Sequence, residues 1–142
     1  MEMGSNMKTH KPIIWITALL STIGATANAA ETADTLSWNC KNGDYEISCS
    51  DGKCESSDAH TPMDIHVAPD EISICAYTAC WTGAPSVTQL SKGFLTVVGQ
   101  GLVAQGDPEN LLNASITIEV KSKVATVLVA GLFATPATCE PR

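Results

Sequence analysis

Six cysteines, at positions 40, 49, 54, 75, 80 and 139, are the residues of this 142-residue chain best placed for covalent chemistry, and their spacing decides which kind. Thiol oxidoreductases and zinc sites favour cysteines two residues apart in a C-x-x-C motif. Cys49 and Cys54, like Cys75 and Cys80, are instead separated by four residues, a spacing suited to clamping a tight chain reversal. That leaves Cys40 and Cys139, one near each end of the domain. Joining them closes a loop of about 100 residues, worth roughly 4–5 kcal/mol in the chain-entropy model. The competing arrangement pairs Cys40 with Cys49 across the first hairpin, since spacing alone leaves connectivity open.

Metal chemistry would fall to His60 and His66, beside Asp58 and Asp64. Two histidines six residues apart lack a defined third ligand. His66 alternates with Ile65 and Val67, which places it on the solvent side of a strand, and no metal is expected. Nucleophilic catalysis has no sequence support either. The chain has no G-x-S-x-G elbow and no H-E-x-x-H motif, and each cysteine is better used in a disulfide. Gly99-Gln100-Gly101-Leu102-Val103-Ala104 matches a dinucleotide-binding pattern, but Gly106 and Pro108 block the helix that would receive the pyrophosphate. These glycines are therefore expected to mark a bulge or sharp bend in a strand. A non-enzyme without a cofactor is the expectation.

Tyr77 and Trp81 flank the second local cysteine pair in the run Ile74–Gly83. Large, rigid aromatic rings lose little entropy on binding and serve as anchors in recognition loops. In a chain that is only 5% aromatic, the same rings would also cap a core. The two are the candidate binding residues.

The elements that position these residues begin with a secretory leader. Lys8 and Lys11 precede an apolar run from Pro12 to Ala25, and Ala27-Asn28-Ala29 supplies a small-x-small cleavage site, giving a signal peptide over 1–29. The run is too short to cross a bilayer, so no stable membrane anchor is expected. An exported chain meets an oxidising compartment, which favours disulfides. Residues 30–37 form a flexible lead-in, and 38–142 a single β domain.

Ten acids against Lys41 and Lys53 make the stretch from Ala30 to Glu71 strongly negative, while the remainder is balanced. Nucleic acid, which needs a basic face, is excluded as an expected partner. A basic envelope protein or a small ligand fits better. Period-two alternation recurs along the domain. Tyr45, Ile47 and Cys49 alternate with Glu46, Ser48 and Ser50, and Ile116, Ile118 and Val120 with Ser115, Thr117 and Glu119. Ser50–Lys53, Ala68–Glu71 and Lys121–Lys123 read as turns, and Gly106–Asn110 as a turn or one helical turn capped by Asp107. About eight short strands without a convincing helix give an all-β fold, a small antiparallel meander closed as a barrel or folded as a sandwich and stapled by disulfides.

At Trp38-x-Cys40, Ile47-Ser48-Cys49, the I-C-A-Y-T-A-C-W-T-G run and Cys139, the chain resembles the uncharacterised small exported cysteine-containing β proteins of Gram-negative bacteria. In size, export, acidity and β content it is also similar to the periplasmic inhibitors of c-type lysozyme, small barrels that block a basic enzyme. Ala76–Thr78 and Ser91–Gly93 match their serine-glycine and tyrosine loop poorly, so no inhibitory residue is carried over. The resemblance implies a periplasmic or secreted, non-catalytic binding or inhibitor-like domain. The alternative is a small envelope enzyme or metal-binding protein using His60 and His66.

Overall fold

A computed structural model describes residues 36–142. The expected leader and most of the expected lead-in lie outside the described residues. Leu36 and Ser37, at the end of that lead-in, are held in place: Leu36 packs on the core, and Ser37 O accepts a hydrogen bond from Arg142 N at 2.9 Å.

Period-two alternation becomes eleven strands among the described residues: β1 (Trp38–Asn42), β2 (Glu46–Ser50), β3 (Lys53–Ser57), β4 (Met63–Val67), β5 (Ile72–Ala76), β6 (Ala79–Gly83), β7 (Val87–Ser91), β8 (Phe94–Ala104), β9 (Asp107–Glu119), β10 (Val124–Val129) and β11 (Phe133–Pro141). Neighbours run β1-β4-β5-β6-β8-β9-β10-β11, and the antiparallel β1–β11 ladder returns the last strand to the first. This closes an eight-stranded antiparallel barrel, the first of the two architectures compatible with the sequence. The β2–β3 hairpin attaches to the start of β11, and β7 attaches to the first half of β8.

Closure puts one face of every barrel strand indoors. Ile65 and Val67 from β4, Ile72 and Ile74 from β5, Leu95 and Val97 from β8, Ile116 and Ile118 from β9, and Val127 and Val129 from β10 are all buried. Each such side chain contributes about 1.5–3 kcal/mol when fully withdrawn from water. A barrel of eight strands has an interior just wide enough for side chains to fill.

The three disulfides are Cys40–Cys139, Cys49–Cys54 and Cys75–Cys80, each joining direct cross-strand partners with Cα atoms 4.0–4.1 Å apart. Their backbone groups show why these positions suit a bridge. Cys139 N bonds Lys123 O, Cys49 N bonds Leu132 O, and Cys80 O accepts from Gln105 N. In each case the backbone groups point away from the bridged strand, so the cysteine occupies a non-hydrogen-bonded pair, where side chains approach most closely. Cys40–Cys139 lies in the core across the β1–β11 seam and covalently closes the barrel.

The structure corrects several sequence expectations. Asp107–Asn110 is not a turn or a helical turn but the first part of β9, because the reversal is completed at Gln105-Gly106, with Gly106 at φ 84° and Ala104 opposite Asp107. Asp107 Oδ1 still accepts from Glu109 N, at 3.2 Å, but as a local contact rather than a helix cap. β2 does not bury the apolar side: Glu46 alone in the strand is buried, at 8% exposed, while Tyr45 and Ile47 face solvent. The reason is hydrogen bonding, since the Glu46 carboxylate accepts from Thr61 N at 3.2 Å and from the Ser48 hydroxyl at 3.3 Å. The Gly99–Gly101 segment forms the expected irregularity, a register shift between Gly99 and Leu102 with Gly101 at φ 63°.

Candidate functional site

The bend at Gly99–Gly101 gives the barrel an asymmetric end. β9 runs beyond the last residue of β10, and the bent β8–β9 hairpin reaches β6, where Trp81 pairs with Ala104. Leu102 fills the inside of the bend. A Cβ added at Gly99 would lie 2.8 Å from the Leu102 side chain, so glycine is required there by close approach.

At this end lies an apolar cavity of about 380 Å³. Met63, Ile74, Leu112 and Val129 form its buried floor, Trp81 and Phe133 its half-buried wall, and Tyr77, Leu111 and Leu132 its rim. The rim residues are 80%, 58% and 54% exposed, respectively. Large apolar side chains this exposed, gathered round one opening, mark an interaction surface more often than isolated exposed residues do.

Trp81 is the register partner of Ile74 and turns to the same interior face. Its indole Nε1–H donates to Asn110 Oδ1 at 3.1 Å, which fixes the ring beside β9. Tyr77 occupies the first position of the two-residue Tyr77-Thr78 turn with φ 51°, a left-handed conformation costly for a non-glycine residue. One residue pair behind it, Cys75–Cys80 locks the stem of the turn. The two aromatics therefore share one site in different roles: Trp81 is wall and partial core cap, and Tyr77 is a projecting rim residue.

The adjacent rim, where Met63 pairs with Ala76, is strapped in place. Asn42 Nδ2 donates to Thr61 O at 2.7 Å and its Oδ1 accepts from Met63 N at 2.8 Å, while Glu46 holds Thr61 N. Asn42 thus satisfies two backbone groups on the segment that leads into β4.

Sequence reasoning missed Leu111, Leu132 and Phe133. A signal was available for Leu132, which sits in the three-residue β10–β11 turn after Gly131. Large apolar residues at hairpin tips are unexpected where glycine, asparagine and aspartate usually serve, and Tyr77 shares that anomaly.

The histidines lie outside this opening and have separate partners. His60 Nε2 lies 3.4 Å from Asp44 Oδ1; His66 Nδ1 lies 2.9 Å from Asn39 Oδ1, with Arg142 Nη1 3.5 Å from its Nε2. Among the described residues no group of three or more His, Cys, Asp or Glu side chains is arranged to hold a metal ion. A hollow of about 490 Å³ on the outer surface includes His66 and Asp64. Four of its polar side chains are engaged with one another, as Lys41–Asp64 at 3.7 Å and His66–Asn39 at 2.9 Å, which makes it a weaker candidate than the apolar mouth.

The fold and the site together define a disulfide-linked antiparallel β-barrel with one aromatic-rimmed end. Comparison with protein-family models, curated proteins and solved structures finds no match to this chain.

Proposed function

We propose that the chain is a non-catalytic binding or inhibitor-like domain of the periplasm or secreted fraction, which engages a basic envelope protein or a small ligand through the barrel mouth. Tyr77 carries this reading. A large ring that is 80% exposed, held at φ 51° and clamped from behind by a disulfide, is pre-organised for contact with something outside the molecule. Pre-organisation lowers the ordering cost that otherwise offsets binding energy. Strain retained at an exposed position supports function there more than stability.

Two further observations support the partner and the compartment. The β2–β3 hairpin joins the rim through Cys49 N–H to Leu132 O, and its exposed charges are Asp51 and Glu55 against one lysine, Lys53. An acidic arm beside an apolar rim suits a partner with basic residues around an apolar group. Three disulfides suit an oxidising compartment rather than the cytoplasm.

Site-specific photocrosslinking tests the proposal. p-Benzoylphenylalanine is placed at Tyr77 in one variant and at Lys121, in the turn at the opposite end of β10, in another. A discrete adduct at 77, absent at 121 and weakened by salt, is expected. No adduct at 77, or the same adducts at both positions, would overturn the reading.

A further inference from the structure

Away from the mouth, among the described residues, the sheet has two strands with a neighbour on one side only, β3 and β7. Such edges present unpaired backbone groups, and proteins commonly protect them with charge, proline or a bulge. β3 is protected: Lys53 and Glu55 lie on a five-residue strand. β7, Val87-Thr88-Gln89-Leu90-Ser91, has no charge, proline or bulge.

The hydrogen-bonding phase of this edge follows from its neighbours. Val120 N donates to Gly93 O at 2.9 Å, so Gly93, Leu95 and Val97 direct their backbone groups toward β9. Phe94, Thr96 and Val98 then direct theirs toward Ser91, Gln89 and Val87 on β7. Thr88 and Leu90 are left with N–H and C=O groups pointing outward from the free edge.

We infer that β7 is a self-association edge, pairing antiparallel with β7 of a second copy about a two-fold axis at Gln89. In that register Thr88 faces Leu90 of the second copy, and the two such pairs exchange four backbone hydrogen bonds. The segment is self-complementary, as a two-fold interface requires. Gln89 meets its own copy across the axis, and their uncharged amides act as mutual donor and acceptor.

Like charge does not oppose a second copy at this edge. The chain carries a formal net charge of -7, so copies repel over most of their surface. The outward side chains of β7 and β8 are an exception: Val87, Gln89, Ser91, Phe94, Thr96 and Val98 bear no charge. Two acidic molecules can meet there without bringing charged β7 side chains together, and Val87 and Phe94, 46% and 49% exposed, gain cover in the joined sheet. Neither partner nor cavity at the mouth enters this inference.

Sedimentation velocity over a concentration series tests it with the disulfide-bonded protein and three variants. Thr88→Pro removes an outward N–H while leaving the β7–β8 ladder intact, because proline is tolerated at the solvent side of an edge strand. Its loss of two of the four bonds is expected to weaken the dimer roughly tenfold or more. Gln89→Lys and Gln89→Glu place like charges across the axis, and each is expected to weaken self-association alone. Mixed in equal amounts they are expected to recover it as a heterodimer, a result that misfolding would not produce. A wild-type protein that stays monomeric, or pairs its free edge only with an added peptide, would overturn the inference. So would a dimer indifferent to all three substitutions, or charge variants that fail to recover on mixing.

Discussion

Trp81 Nε1 donates to Asn110 Oδ1 at 3.1 Å, a contact between β6 and β9 that spans 29 residues of sequence. Trp81 therefore has two separable attachments: its ring packs on the core, and its N–H holds the bent β8–β9 hairpin over the mouth. Asn110 is exposed, so water replaces much of the lost bond in Asn110→Ala, and a cost below about 1 kcal/mol is expected. Trp81→Ala removes the packing as well and is expected to cost about 2–3 kcal/mol, short of the range for a fully buried aromatic. Urea unfolding of the two variants, compared at equal slope, checks the ordering. Equal losses would mean that the hydrogen bond rather than the ring carries the attachment.

Tyr77 provides the opposite sign. At φ 51° a tyrosine bears a backbone cost that glycine avoids, offset in part by the greater freedom of glycine in the unfolded chain. Tyr77→Gly is expected to raise stability by about 0.5–1 kcal/mol, while removing the ring proposed for recognition. Thermal unfolding reads the first effect and competition with the Tyr77 photoadduct the second. A destabilised Tyr77→Gly variant would show that the ring contributes packing not evident from its exposure.

The barrel was legible where alternation was strict. In Ile116–Val120 one residue in two is apolar and the turn that follows carries lysines, so strand, face and reversal followed directly, and the nearly all-apolar Val124–Ala130 was read as the returning strand. Legibility failed where a local signal competed with a distant partner. Asp107-Pro108 resembles a helix start, but its conformation is set by Ala104 across the hairpin and by the nearby bend. Glu46 looks like a solvent-facing residue, but Thr61 N, fifteen positions away, makes its burial tolerable. The site divided in the same way. Tyr77 and Trp81 are conspicuous as aromatics beside a disulfide, whereas Leu111 and Phe133 join them only through strand register and closure of the barrel.

Disulfide removal is expected to rank by loop length rather than by number of bonds. Cys40–Cys139 spans 99 residues, and the other two bonds span 5 each. In the chain-entropy model the long loop is worth about 4–5 kcal/mol and each short one about 2 kcal/mol. Replacing Cys40 and Cys139 together by alanine also opens a gap in the core, since both are buried, which increases the loss. The Cys49/Cys54 double alanine variant lies on a hairpin outside the barrel and should keep a cooperative transition. The Cys75/Cys80 variant should do the same while freeing the Tyr77-Thr78 turn, so its effect should be larger on the Tyr77 photoadduct than on stability. Denaturant unfolding of the three double variants gives the order, and crosslinking yield at 77 separates the third from the second. If the short-loop variants matched the long-loop one in stability loss, native-state packing rather than unfolded-chain entropy would govern these bonds.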